Sequence, residues 1–237
     1  MFIKISKILI IPLIFILFQA GSVFAASSDF SLYWSSDSFI PFEYEGKALP
    51  SQGSKITVYV APAQKTAVDP DSLYYVWLLD DDPMGWANGA GKSSFSFTST
   101  KRAGSYHQIE SQIYDQKGGE LLWRKFLSVK ISEPEILVHR EKETYSNLSV
   151  FARTDEEIKL ETHPLFFNIT GLKNLGFSWE IDDKETFTSL QTEPNKLNLK
   201  IPKADISEPI QKKIIISSWP TDNRLFRVWT ELIIDIR

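Results

Sequence analysis

Apolar and polar residues alternate with period two along most of the chain, the mark of strands with one face turned inward. Lys55–Val60 sets Ile56, Val58 and Val60 against Thr57 and Tyr59, and Pro62 ends the run. Leu73–Leu79 reads as a buried strand centred on Trp77 and closed by the acidic turn Asp80–Asp82. Ser93–Thr98 points Phe95 and Phe97 one way, and Tyr106–Tyr114 sets Ile109 and Ile113 against Gln108, Glu110 and Gln112. Gly118-Gly119 is a hairpin turn into the returning strand Leu121–Ile131. Ser27–Pro50 is irregular and aromatic and supplies the first edge strand, with Pro41 and Pro50 limiting its pairing. Met84–Lys92, rich in Gly and Asn, reads as a loop. Beyond the N-terminal apolar run no segment holds a helical period; the nearest, Arg153–Leu160, resolves into a strand around Ile158 and Leu160.

The pattern repeats. Shifting the chain by about 102 positions aligns Ile56 with Ile158, Pro62 with Pro164, Leu73 with Leu175, Trp77 with Trp179, Asp80 with Asp182 and Asp81 with Asp183, without a gap. Further on, loop insertions widen the offset, so that Ile109 matches Ile214 and Asp115 matches Asp222. A strand pattern alone would not hold Trp, Pro and Asp-Asp in one register, so the chain is read as a duplicated domain. Each copy holds about seven short strands punctuated by turns, the description of an immunoglobulin-like sandwich. The fold class expected is all-β: two tandem immunoglobulin-like β-sandwich domains, at residues 26–133 and 134–237, joined by a short linker around Ser132–Ile136.

The N-terminus adds a destination. Lys4 and Lys7, the apolar run Ile8–Phe18 and then Val23-Phe24-Ala25 form the tripartite pattern of a secretory signal over residues 1–25, with cleavage expected after Ala25. The alternative is an uncleaved anchor, although Gln19, Gly21 and Ser22 interrupt the apolar stretch. Without residues 1–25, 24 basic residues face 30 acidic ones, a net charge of −6 with no basic cluster, which argues against a nucleic-acid partner. With no cysteine in the chain, disulfides, thiol catalysis and zinc–thiolate sites are excluded. Stability must come from the two cores, for which 43% hydrophobic and 13% aromatic residues are ample.

Tyr75-Val-Trp-Leu-Leu-Asp-Asp resembles the Tyr-x-Trp-x-x-Gly-Asp region of PKD domains, which share the immunoglobulin-like fold and are common on bacterial surfaces; it departs from them at the glycine position, Leu79 or Asp80. Ser38–Ser54, followed by the Tyr-x-Trp strand, resembles exported proteins of candidate-phylum bacteria that carry two such domains, often with a C-terminal membrane helix; here the chain stops at Ile233–Arg237 without one. The resemblance implies an extracytoplasmic surface or secreted role and supplies no catalytic residues.

Candidate chemistry is sparse. Asp80, Asp81, Asp82, Asp182 and Asp183 supply the oxygens calcium favours, but without the spacing of a known loop, and Asp is equally at home in a strand-connecting turn. His107, His139 and His163 are scattered without metal-ligand spacing. No Gly-x-Ser-x-Gly elbow is present, and Asp and Glu pairs of the glycosidase kind are no more frequent than in any acidic chain. No catalytic, cofactor or metal residue is therefore assigned, and no enzyme activity is expected. Trp34, Trp86 and Trp219 lie in or beside irregular polar segments, and Trp86, flanked by Gly85 and Asn88-Gly89, is the candidate exposed ring. The function expected is a structural or adhesion module that binds a protein partner at the cell envelope, with the membrane met only through the signal segment if it is uncleaved. The alternatives are a carbohydrate-binding protein that uses Trp86 and, last, a hydrolase.

Overall fold

The structure is a computed structural model that describes residues 30–62, 69–141, 149–182, 184–186, 193–203 and 208–237; the signal segment and Asp183 lie outside the described residues. The first half of the chain contributes β1 (Phe30–Ser36), β2 (Lys55–Pro62), β3 (Tyr74–Leu79), β4 (Asp82–Pro83), β5 (Gly89–Ala90), β6 (Ser94–Thr98), β7 (Tyr106–Tyr114) and β8 (Leu121–Lys130). The second half contributes β9 (Glu135–Arg140), β10 (Ser149–Ala152), β11 (Glu157–Leu165), β12 (Leu175–Ile181), β13 (Lys184–Thr186), β14 (Lys196–Lys200), β15 (Ile210–Pro220) and β16 (Val228–Ile236).

In the first half, β1–β2–β6 faces β4–β3–β7–β8; in the second, β9–β11–β14 faces β13–β12–β15–β16–β10. The chain passes between the two sheets after β2, β5 and β6 in the first half and after β9, β10, β11, β13 and β14 in the second, so each half is an immunoglobulin-like sandwich. Each has a core of its own: Ile56, Val58, Trp77, Ile109 and Val129 in one, and Ile158, Leu160, Trp179, Ile214 and Leu232 in the other.

The two halves match at the level of hydrogen bonds. Trp77 and Trp179 are both fully buried, on β3 and β12. The Trp77 indole N–H donates to the Lys92 carbonyl at 2.9 Å, and the Trp179 indole N–H donates to the Pro194 carbonyl at 3.1 Å. Both acceptors lie just before the strand that enters the opposite sheet, β6 or β14, so each indole ties one layer to the other. The backbone register agrees: Leu79 faces Ile109, and Ile181 faces Ile214.

The aspartates behind each Trp strand are turns. Asp80 and Asp182 sit in the left-handed region, at φ of 54° and 47°, where a short polar side chain is tolerated. The Asp80 N–H donates to Gln108 O at 2.8 Å, and its carboxylate accepts from Lys101 at 2.8 Å, from the Gln108 N–H at 2.9 Å and from His107 Nδ1 at 2.7 Å. Asp182 repeats the set with the Lys213 N–H and the Lys212 ammonium. Burial by itself would raise the Asp80 carboxyl, but the bonds from Lys101, the Gln108 N–H and His107 outweigh it and hold the group below its ordinary 3.8.

Met84–Lys92 is less of a loop than its composition predicts. β4 and β5 both pair with β3, with a short 3-10 turn at Gly85–Ala87 between them. Across the gap, the Trp77 N–H donates to the Asn88 side-chain oxygen at 2.8 Å and the Met84 N–H donates to Trp77 O at 2.8 Å. Asp82–Ala90 is thus a broken edge strand whose missing ladder bonds are supplied by one Asn side chain and one turn amide, and of the expected loop only Gly89–Ala90 is strand.

Trp77→Phe and Trp179→Phe each remove the indole bond and leave a void, and each is expected to lower unfolding free energy by on the order of 2 kcal/mol, measured by urea denaturation. Asp80→Asn tolerates the left-handed turn but removes the charge and one of the two accepting oxygens. Because the folded carboxyl is depressed, its stabilisation is complete above about 3.8 and is lost as pH falls through the folded value. Asp80→Asn is therefore less stable than the parent at pH 7, and the gap closes below about pH 4, as thermal melting across that range would show.

Candidate functional site

The sandwiches meet through more than the linker. The chain leaving β1 crosses to the second half, where Phe39 forms an isolated bridge with Phe167: the Phe39 N–H donates to Phe167 O at 2.8 Å and the Phe166 N–H donates to Phe39 O at 2.7 Å. Phe166 is almost fully buried although its φ is +62°, a conformation that a bulky side chain holds only when its surroundings impose it. The Tyr44 ring meets Phe166 edge-on at 5.8 Å. Gly53, at φ +88°, comes so close to the second half that a Cβ there would lie 2.6 Å from the Asn168 side-chain nitrogen.

Two features open around this junction. The first is a groove made of two adjoining hollows of about 390 and 760 Å³ that share Gln52, Pro134 and Phe226. Its rim carries large exposed apolar side chains from one short stretch: Leu225 at 94%, Phe226 at 46% and Trp229 at 63% exposure. Arg102 and Arg227 line the same groove from opposite halves of the chain. Arg227 is steadied by hydrogen bonds to Ser178 at 3.1 Å, Glu180 at 3.1 Å and Ser217 at 2.9 Å.

The second is a cavity of about 430 Å³ between the Phe39–Glu43 segment and the outer face of the sheet β9–β11–β14. His139 on β9 lies directly opposite Glu161 on β11, and His163 stands two residues along β11 on the same face. The two histidines point Nε2 at Nε2, 2.9 Å apart, so one nitrogen carries the proton and the other accepts it. Glu161 Oε2 is 3.9 Å from His139 Nε2. Burial first, and then the neighbouring His139, push the His163 imidazole below its ordinary value, against the pull of the Glu161 and Glu43 carboxylates. Histidines 24 positions apart in sequence are thereby brought into one cluster, so the expectation of three scattered histidines is corrected for this pair. His107 stays apart: it is buried, with Nδ1 on Asp80 at 2.7 Å and Nε2 on the Ser99 hydroxyl at 3.0 Å.

No protein-family model matches the chain, and no curated relative does. Among solved structures, the chain is similar to the ICAM-5 D1–D4 ectodomain fragment (8% identity over 87% of this chain and 53% of that one, TM-score 0.29). It is also similar to the titin Ig tandem domains A164–A165 (9% identity over 80% of this chain and 91% of that one, TM-score 0.29). A third is SGBP-B of the Bacteroides ovatus mixed-linkage glucan utilization locus, in complex with a mixed-linkage heptasaccharide (11% identity over 86% of this chain and 47% of that one, TM-score 0.22). The chain spans about half the length of the first and third of these. Scores this low carry no argument about a ligand, and the sandwich assignment rests on the strand order itself.

The aromatic candidates separate. Trp86 is 64% exposed on the 3-10 turn, with its ring resting edge-on against Phe95 at 6.1 Å. Trp34 is half-buried under the Lys47 ammonium, 3.3 Å from the ring centre. Trp219 lies across Gly176, where a Cβ would come within 2.5 Å of the indole nitrogen, and it is flanked by Arg224 and Arg227. Asp81 and Asp82 are exposed, and both Asp80 oxygens are taken by cationic or N–H donors, so among the described residues no carboxylates converge there. Trp229 is an exposed ring on a regular strand, where no irregular polar segment marks it. Its signal was present in parity: Leu232, Ile234 and Ile236 of β16 point inward, which turns position 229 outward.

Gly53→Ala is expected to cost about 1–2 kcal/mol through its positive φ and to displace Asn168 at the junction. Gly104→Ala shares the positive φ, at +82°, but meets nothing within 4 Å, so the difference between their urea midpoints reports the junction contact.

Proposed function

We propose that the chain is a non-enzymatic, exported module of the cell surface that holds a protein partner in the groove between two immunoglobulin-like domains, with the division between them at residues 133 and 134. The observation that carries this reading is the run Leu225, Phe226 and Trp229, exposed together at the junction groove. Large apolar side chains grouped on a surface mark an interaction site, and Trp, Phe and Arg are the residues that anchor protein interfaces. The arginines set around the rings give the groove polar contacts that fix a partner's orientation. Export rests on the N-terminal pattern of Lys4, Lys7 and Ile8–Phe18.

The rival reading is a glycan bound on Trp86, favoured by a ring that is exposed yet fixed against Phe95. Crosslinking and capture from the native cell envelope separate the two. Trp229→Ala is expected to reduce recovery of a protein partner by about 10–30-fold, the loss typical of an interface anchor, while Trp86→Ala leaves recovery unchanged. Glycan-array binding abolished by Trp86→Ala, with no protein recovered, would establish the rival instead.

A further inference from the structure

The histidine pair sits where the two copies of the domain diverge. In the first sandwich the corresponding cross-strand position on β1 and β2 holds Tyr33 and Tyr59, with rings stacked at 5.5 Å. In the second, the same position on β9 and β11 holds His139 and Glu161, with His163 alongside. The first copy builds the same sheet face with Tyr33, Tyr59 and Ala61, so the presence of three metal-ligating groups at those positions in the second calls for another account.

We propose that His139, His163 and Glu161 form a binding site for a single divalent transition-metal ion of the zinc class. The three ligand atoms already lie within 4.8 Å of one another. Two imidazole nitrogens and one carboxylate oxygen are a ligand set that zinc accepts, and a tetrahedral ion about 2.0 Å from each nitrogen holds them about 3.3 Å apart. The present Nε2–Nε2 separation of 2.9 Å becomes that spacing by a small parting of the rings. The ion would replace the single proton now shared between the two nitrogens, removing the need for one ring to donate to the other. All three side chains stand on two hydrogen-bonded strands, which places them more firmly than loops would.

The surroundings suit a cation with an open coordination position. Glu43 lines the same cavity from the segment that crosses out of the first sandwich and would add negative charge on the side the sheet leaves open. Lys196 faces Glu161 from β14, but its ammonium is engaged by Glu193 at 2.6 Å. Imidazole ligands favour zinc and its transition-metal neighbours over calcium and magnesium, which prefer all-oxygen cages.

The test uses the unaltered protein first. After chelator treatment, zinc chloride is titrated while imidazole ¹H–¹⁵N correlations are recorded; the chain has three histidines, so His107 is an internal control. The expected result is one ion per chain, with the Nε2 resonances of His139 and His163 shifted, His107 unmoved and no competition from calcium. Unshifted rings, a shift of His107 alone, or equal competition by calcium would overturn the proposal. In calorimetry, His139→Gln is expected to weaken zinc binding by at least about 100-fold and Glu161→Gln by about 10-fold or more, each with unchanged melting of the metal-free protein. Zinc affinity unchanged in both variants would overturn it equally.

Discussion

Each sandwich depends on one buried indole whose N–H must find an acceptor. Trp77 and Trp179 are the largest fully buried side chains in their sheets, and an indole N–H taken from water without a partner would forfeit much of what burying the ring contributes. In both halves the partner is a backbone carbonyl 15 residues further on, Lys92 or Pro194. The ring therefore fixes both the spacing between sheets and the point at which the chain enters the opposite layer. The rest of each core, including Phe95, whose ring centre lies 5.0 Å from that of Trp77, packs around that tie.

The left-handed aspartate is the second constraint, and it works by charge rather than volume. Asp80 ends β3 and returns its backbone N–H and its carboxylate to the neighbouring strand β7, so the turn and the strand register are set together. Asp182 does the same between β12 and β15. Repetition of both devices explains why tryptophan and aspartate stay in register across the duplication while loop lengths drift.

Where the copies differ, the difference has consequences. After β9 the second copy adds β10, which pairs in parallel with the edge of β16. After β1 the first copy instead sends its chain across the junction to Phe167. That crossing roofs the His139–Glu161–His163 cavity, and the Gly53–Asn168 contact lines the groove edged by Leu225 and Trp229. Both candidate sites thus arise at the junction: the strands β9, β11 and β16 have counterparts in the first copy, but the side chains they present there and the crossing at Phe39 do not, while the shared core stays structural.

Period-two alternation and the constant offset of the Trp and Asp-Asp block were enough to specify strands, sandwich and duplication, because both burial parity and turn chemistry are local properties of the chain. Even the outward parity of Trp229 was written there, opposite Leu232 and Ile234. What the sequence could not supply was which strands lie side by side. His139 and Glu161 become neighbours only through the β9–β11 register, and Leu225 and Arg102 line one groove only through the docking of one half against the other. Local pattern therefore determined the two folds, whereas the junction and everything it brings together were decided by long-range pairing, whose energy comes from contacts that adjacent residues do not make.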